Sequence, residues 1–144
     1  MKAVIQRVKR ASVSSHSRVR SIGQGLVVFV AVAKGDGCNE VQYLARKTVD
    51  LRVFSDHEGK FNYSLKDIKG EVLVIPQFTL YGDCSRGRRP SFDNSASKKE
   101  AQKYFDLYIK EIEKYVMAAK KGFFGREMEV EVLNDGPVTL IVES

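Results

Sequence analysis

Apolar residues along this chain fall into short β-branched runs and two longer stretches at helical spacing. Residues 1–8 and 11–22 interleave β-branched with polar side chains, as half-buried strands do. Gly23-Gln24-Gly25 supplies a tight turn into Leu26-Val27-Val28-Phe29-Val30-Ala31-Val32-Ala33. That run lacks a polar face, which predicts a central strand covered on both sides. Lys34-Gly35-Asp36-Gly37 breaks it, and Asn39 is placed to cap a helix over residues 39–50 with Val41, Leu44, Ala45 and Thr48 on one face.

The middle of the chain returns to strands. Residues 51–54 read as a short one, ended by the turn chemistry of residues 55–59, and residues 60–65 read as extended. Residues 72–75 form a buried strand that runs into Pro76-Gln77-Phe78-Thr79-Leu80. Proline has no backbone donor, so Pro76 marks a strand end or an edge. Residues 82–96 offer little to bury, and loops of this length in compact domains are commonly functional.

Ser97 and Glu100 have capping-box spacing, each expected to satisfy the other's orphan backbone donor. Behind them Ala101, Tyr104, Phe105, Tyr108, Ile109, Ile112, Val116 and Ala119 recur at helical spacing, with Gly122 as the stop. Met128, Val130 and Val132 then alternate with glutamates as a strand with one wet face; residues 134–137 turn the chain and residues 138–142 close the sheet. The sum is an α/β fold: a single layered domain over residues 1–144, with mostly antiparallel or mixed sheets and two main helices.

Composition narrows the function classes. At 43% hydrophobic and 29% charged the chain is globular rather than disordered. A domain of this size buries about 70% of its unfolded surface and needs neither disulfide nor structural metal. The longest apolar run is far below the ~20 residues of a membrane span, so no membrane is expected as a partner. Early charges at Lys2 and Arg7 argue against a signal peptide, and Cys38 and Cys84 form neither a disulfide framework nor a CxxC site. A cytoplasmic protein with two reduced thiols is expected. Its 24 basic against 18 acidic residues give a net charge of +6, which favours a polyanionic partner without establishing one.

The common catalytic constellations are missing. There is no HExxH, CxxC or GxSxG, so no metal and no cofactor is expected. His16 and His57 lie in polar surroundings without an acid partner in sequence. Three features remain. Thr79, at the end of a buried strand, could act as a nucleophile or lend its amide to an oxyanion, or its β-branch could simply pack. Gly136-Pro137 reads as a turn. Arg86, Arg88 and Arg89 sit on the long loop ahead of Lys98 and Lys99, suited either to phosphate contacts or to plain solvation.

Together these segments resemble the D-aminoacyl-tRNA deacylase (D-tyrosyl-tRNA deacylase) family along the whole chain. Its two signature strings, Ser-Gln-Phe-Thr-Leu and Asn-x-Gly-Pro-Val-Thr, read here Pro76-Gln77-Phe78-Thr79-Leu80 and Asn134-Asp135-Gly136-Pro137-Val138-Thr139. Phe54-Ser55-Asp56, Gly59-Lys60-Phe61-Asn62 and Arg89-Pro90-Ser91-Phe92 also fall where family members carry similar strings. Pro76 departs from the family serine and removes a hydroxyl and a backbone donor at the strand end.

The resemblance implies an editing hydrolase that cleaves the ester of D-aminoacyl-tRNA, and of mischarged glycyl-tRNA, while rejecting L-aminoacyl-tRNA. It implies a homodimer with active sites at the subunit interface. Gln77, Phe78 and Thr79 of one subunit would form the catalytic segment; Asn134, Gly136 and Pro137 would bind substrate, with a cis Gly136-Pro137 reaching in from the other subunit. Arg86, Arg88 and Arg89 become candidates for tRNA phosphates, and no DNA partner is implied. The mechanism expected is assisted by the RNA 2′-hydroxyl, with Phe78 and Thr79 amides as oxyanion donors; the rival uses the Thr79 hydroxyl as nucleophile. Two other classes stay open: a non-catalytic tRNA-binding module, and a small-molecule esterase or amidase on the same scaffold.

Overall fold

A computed structural model describes all of residues 1–144. The longest shared ladder is that of β1 (Lys2–Ser15) with β8 (Glu129–Glu143), antiparallel from Lys2↔Glu143 to Ser14↔Glu129. On its other edge β1 pairs antiparallel with β3 (Gly25–Ala31) through its first half and with β2 (Arg18–Ile22) through its second. β3 continues in parallel to β6 (Glu71–Pro76), and β6 in parallel to β7 (Ala119–Lys121). The result is a six-stranded mixed sheet. A separate ribbon pairs β4 (Phe54–Ser55) with β5 (Phe61–Tyr63).

The helices α1 (Cys38–Asp50) and α2 (Lys98–Glu113) pack on one face of the sheet through Val41, Leu44, Ala45, Val49, Phe105, Tyr108, Ile109 and Ile112. Leu26, Val28, Val30, Val72 and Val74 meet them, while Val27, Leu73 and Ile75 point into a smaller cluster on the opposite face. This is the two-sided burial that the polar-free run 26–33 predicts. In β1, Ala3 and Ile5 belong to the first cluster but Ala11 and Val13 to the second. Register shifts between Gln6 and Arg10 account for the change of face, since one extra residue inverts the alternation.

Several expectations need correction. β1 does not stop at Val8; it runs through Lys9 and Arg10, and the hairpin turn falls at His16, whose φ is 53°. The first helix is capped at Gly37, whose N–H donates to the Glu40 carboxylate at 2.8 Å, so Asn39 lies inside the first turn. The strand expected over 51–54 shrinks to β4, because the Leu51 N–H still bonds the helical carbonyl of Lys47 at 3.0 Å. At the second cap Ser97 Oγ accepts from Glu100 N, but Glu100 answers the Ser97 hydroxyl, not its amide.

The second helix ends at Glu113 rather than Gly122. Residues 119–121 form β7, and the Ala118 carbonyl accepts from Val72 N at 3.0 Å. The open edge of β6 offers these residues a full ladder, which outweighs their helical spacing. Residues 134–137 do not reverse the chain either; β8 runs on past them, with residues 135–138 looped out of its ladder with β1. The loop over 82–96 carries no strand or helix and is pinned by bridges Asp83↔Ser91 and Ala33↔Ser95.

Inside the main core Thr48 Oγ1 donates to the Leu44 carbonyl at 2.9 Å, so the Tyr108 hydroxyl must donate to Thr48 at 2.6 Å. Burial pushes the Tyr108 hydroxyl well above its ordinary range. A raised folded pKa keeps its stabilisation below the unfolded value, about 10, and loses it as the pH climbs beyond. Tyr108→Phe is therefore expected to lower stability in urea by about 1 kcal/mol at neutral pH. It should also flatten the loss of stability above pH ~10, which paired unfolding curves at both pH values will register.

Candidate active site

β6 delivers the first half of the site. Pro76 ends the ladder, Gln77 N–H still bonds the Val30 carbonyl at 2.8 Å, and residues Phe78–Tyr81 then coil into a 3-10 turn. The first amides of such a turn have no acceptor behind them. The Phe78 and Thr79 N–H groups accordingly have no partner within the chain, whereas Leu80 N bonds Gln77 O and Gly82 N bonds Thr79 O. The Gln77 side-chain amide donates to the Thr79 hydroxyl. Thr79 is exposed, and no histidine, lysine or carboxylate bonds its hydroxyl.

The long loop buttresses this turn. Phe92 meets the Phe78 ring edge-on at 5.2 Å, and the Ser95 hydroxyl donates to the Phe78 carbonyl at 3.2 Å. Beside Gln77 and Phe78 opens a cavity of about 620 Å³, walled by Val30, Ile75, Phe105, Phe124 and Met128, with Lys98, Arg126 and Glu127 also lining it. Its volume is that of a small-molecule or nucleoside site.

The second half lies on β8. Between the pairs Gln6↔Thr139 and Val8↔Asn134, β8 advances five residues and β1 only two, so a loop is thrown out of the ladder. Gly136-Pro137 is cis and sits in that loop, exposed, with Gly136 at φ 130°. A Cβ on Gly136 would lie 2.7 Å from Val138 Cγ2 and 3.1 Å from Arg7 Nη2, so the position requires glycine on both counts.

Arg7, a buried residue, braces the loop from below. Its Nε donates to the Asp135 carbonyl at 3.1 Å and pairs with the Asp135 carboxylate at 3.2 Å; its Nη1 donates to the Val53 carbonyl at 2.6 Å. The guanidinium also lies 5.4 Å from the Phe61 ring centroid. Asn134 holds the loop's two ends: its Oδ1 accepts from Val138 N at 3.0 Å and its Nδ2 donates to Thr139 Oγ1 at 3.1 Å, where Gln6 Nε2 also donates. In this chain Asn134 is thus occupied as a positioning residue.

The structure brings Gln77, Phe78 and Thr79 together, and Asn134, Gly136 and Pro137 together, but no hydrogen bond or ion pair joins the two groups within one chain, and the cavity beside Gln77 and Phe78 does not reach the second group. Arg86, Arg88 and Arg89 are exposed at the tip of the long loop and make no ion pair. The Ser85 hydroxyl and amide hold the Asp83 carboxyl at the loop's base below its usual range. His16 and His57 are exposed and bond neither group. No helix is long and apolar enough to cross a membrane, and no three His, Cys, Asp or Glu side chains gather where they could hold a metal ion. Arg7 escapes motif-level reasoning, although a lone arginine at an inward position of an apolar strand is itself a visible signal.

Comparison with known proteins places the chain in a family and a fold. The family model described as "D-Tyr-tRNA(Tyr) deacylase" matches residues 4–143. A D-aminoacyl-tRNA deacylase of Carboxydothermus hydrogenoformans is 50% identical over 144 residues, covering 99% of each chain. The solved "c-Myc DNA Unwinding Element Binding Protein" superposes with a TM-score of 0.94 at 36% identity, covering 100% of this chain and 99% of that one. The solved "probable eukaryotic D-amino acid tRNA deacylase" has a TM-score of 0.87 over 99% and 98% of the two chains; at 14% identity it speaks to the fold alone.

Removing the Arg7 brace strands the Val53 carbonyl and the Asp135 backbone together. Arg7→Met is expected to cost about 2 kcal/mol in chemical denaturation, and Arg7→Lys to recover little of it, because an ammonium cannot bridge acceptors on two segments as a planar fork does.

Proposed function

Since this chain belongs to the D-Tyr-tRNA(Tyr) deacylase family, we propose that it is an editing hydrolase that cleaves the ester between a D-amino acid and the terminal ribose of tRNA. The observation that carries the reading is the pair of unpartnered N–H groups of Phe78 and Thr79 beside a largely apolar cavity. Two successive amides without acceptors suit the oxygen on which charge develops as water adds to the ester carbonyl. The ester is already activated, so positioning and oxyanion stabilisation suffice for much of the rate enhancement. The acyl carbon gains the water oxygen, its bond to the ribose oxygen breaks, and that oxygen takes up a proton. The vicinal 2′-hydroxyl of the RNA serves to activate the water.

The Thr79 hydroxyl as nucleophile has less support. It accepts from Gln77 and has no base to take its proton. Thr79→Ala is expected to keep turnover within about tenfold of the parent, whereas Phe78→Pro, which deletes an amide donor, should lower kcat by about 10²–10³. Abolished turnover in a folded Thr79→Ala protein would favour the nucleophile instead.

The chiral filter needs a second copy of the chain. Gly136 and Pro137 are exposed and unconnected to the Gln77–Thr79 turn of their own chain. In a homodimer with sites at the interface, the braced loop of one subunit enters the pocket of the other. Rigid backbone placed where an L side chain would project excludes L-aminoacyl esters by steric clash, while glycine, having no side chain, passes. Arg86, Arg88 and Arg89 supply phosphate contacts to the acceptor stem, which makes RNA the polyanion of choice.

A deacylation assay with D-Tyr-tRNA and L-Tyr-tRNA tests the whole reading. The parent should hydrolyse the first and spare the second; binding without hydrolysis would replace it with a tRNA-binding module. Gly136→Ala should reduce discrimination at least about tenfold, because its Cβ displaces the loop. Replacing the three arginines with glutamine should flatten the salt dependence of KM, and an unaltered slope would remove the loop from the contact.

A further inference from the structure

The cavity beside Gln77 and Phe78 has a feature that the ester chemistry does not use. Its lining includes two cations, Lys98 and Arg126. The ion pairs of this chain engage Lys2, Arg7, Lys9, Lys60, Lys66, Lys114, Lys120 and Lys121, but neither of these two. They come from different parts of the chain, the first turn of α2 and the segment that leads into β8. The Lys98 ammonium is brought in close by Gly125, at φ 67°: a Cβ there would lie 3.1 Å from Lys98 Cε and 3.3 Å from Nζ. The glycine leaves room for the lysine stem to lie against the backbone. Two exposed cations without ion-pair partners line a mainly apolar pocket whose walls include Phe78, Phe105 and Phe124.

We propose that Lys98 and Arg126 form a clamp for the phosphodiester on the 5′ side of the nucleoside that occupies this cavity. The inference rests on the editing function proposed above and specifies how the site grips the RNA end. Apolar and aromatic walls take a base by burial and stacking. The phosphate attached to that nucleoside is then held at the cavity lining, where guanidinium and ammonium offer charge-assisted hydrogen bonds. Glu127, the carboxylate in the same lining, repels an anion and is the acceptor available for a ribose hydroxyl. The clamp fixes the register of the strand, so that the terminal ester meets the Phe78 and Thr79 amides.

The test compares adenosine with the dinucleotide cytidylyl-(3′→5′)-adenosine by calorimetry on the full chain, using the parent, Lys98→Gln, Arg126→Gln and the double variant. Glutamine keeps most of the stem and removes the charge. The parent should bind the dinucleotide about tenfold more tightly than adenosine; each single variant should lose part of that preference and the double variant all of it, with adenosine affinity unchanged. A parent that binds both ligands equally, or a double variant that keeps the preference, overturns the clamp. Loss of adenosine affinity in the variants overturns it too, since the cations would then be shaping the wall. Deacylation of D-Tyr-tRNA run in parallel separates the two failures. If the parent hydrolyses that substrate but shows no preference for the dinucleotide, only the clamp falls. If the parent fails to hydrolyse it, the editing function falls and takes the clamp with it. In an active parent the charge removals should raise KM and leave kcat, and each should make the salt slope shallower by about 0.7.

Discussion

One buried guanidinium holds the arrangement together. Arg7 lies where β1 and β8 fall out of register, and its fork is taken by the Asp135 carbonyl and carboxylate and by the Val53 carbonyl. A cation taken out of water must find such partners or it destabilises the fold. Here they come from the ejected loop itself and from the segment leading into β4, so the demand for satisfaction fixes where the loop can stand. Asn134, Gln6 and Thr139 close the network on the outer side. A loop without a core of its own is thus presented outward as a rigid feature.

The other half of the site is fixed by different means. β6 is buried on both faces, and its last residue cannot donate to a ladder, so the chain must leave the sheet at Pro76. Coiling at once into a 3-10 turn frees two amides next to an apolar cavity, and Phe92 and Ser95 of the long loop hold that turn in place. Pro76 in place of the family serine is compatible with this: Val30 still receives its bond from Gln77, one residue on. The proposed chemistry draws on backbone groups and on the substrate's own hydroxyl, in keeping with a turn whose threonine has no base beside it.

Much of this was legible in the amino-acid order, for identifiable reasons. The polar-free run 26–33, the amphipathic face of α1 and the body of α2 follow from hydrophobic spacing that tertiary packing then rewards. The misjudged places are those where a long-range partner overrides a local preference. Ala119 keeps helical spacing but is drawn with Lys120 and Lys121 onto the edge of β6, and residues 134–137 carry turn chemistry but the ladder resumes on both sides of them. Gln77, Phe78, Thr79, Gly136 and Pro137 were visible as motifs. Arg7 and Arg126 were not, and Lys98 only as part of a basic stretch, because their meaning lies in which carbonyls, or which cavity, the fold sets beside them.

The central claim is that a complete site takes its amides from one chain and its chiral wall from another. Mixing chains tests it directly. A Gly136→Ala chain keeps its amides but has a damaged wall; a Phe78→Pro chain has an intact wall and impaired amides. Co-refolding the first with an excess of the second should suppress hydrolysis of L-Tyr-tRNA while hydrolysis of D-Tyr-tRNA continues, since each working pocket then faces a sound wall. If hydrolysis of L-Tyr-tRNA stays in proportion to the Gly136→Ala chain however much of the other is added, each chain filters its own substrate and the two-chain site is wrong.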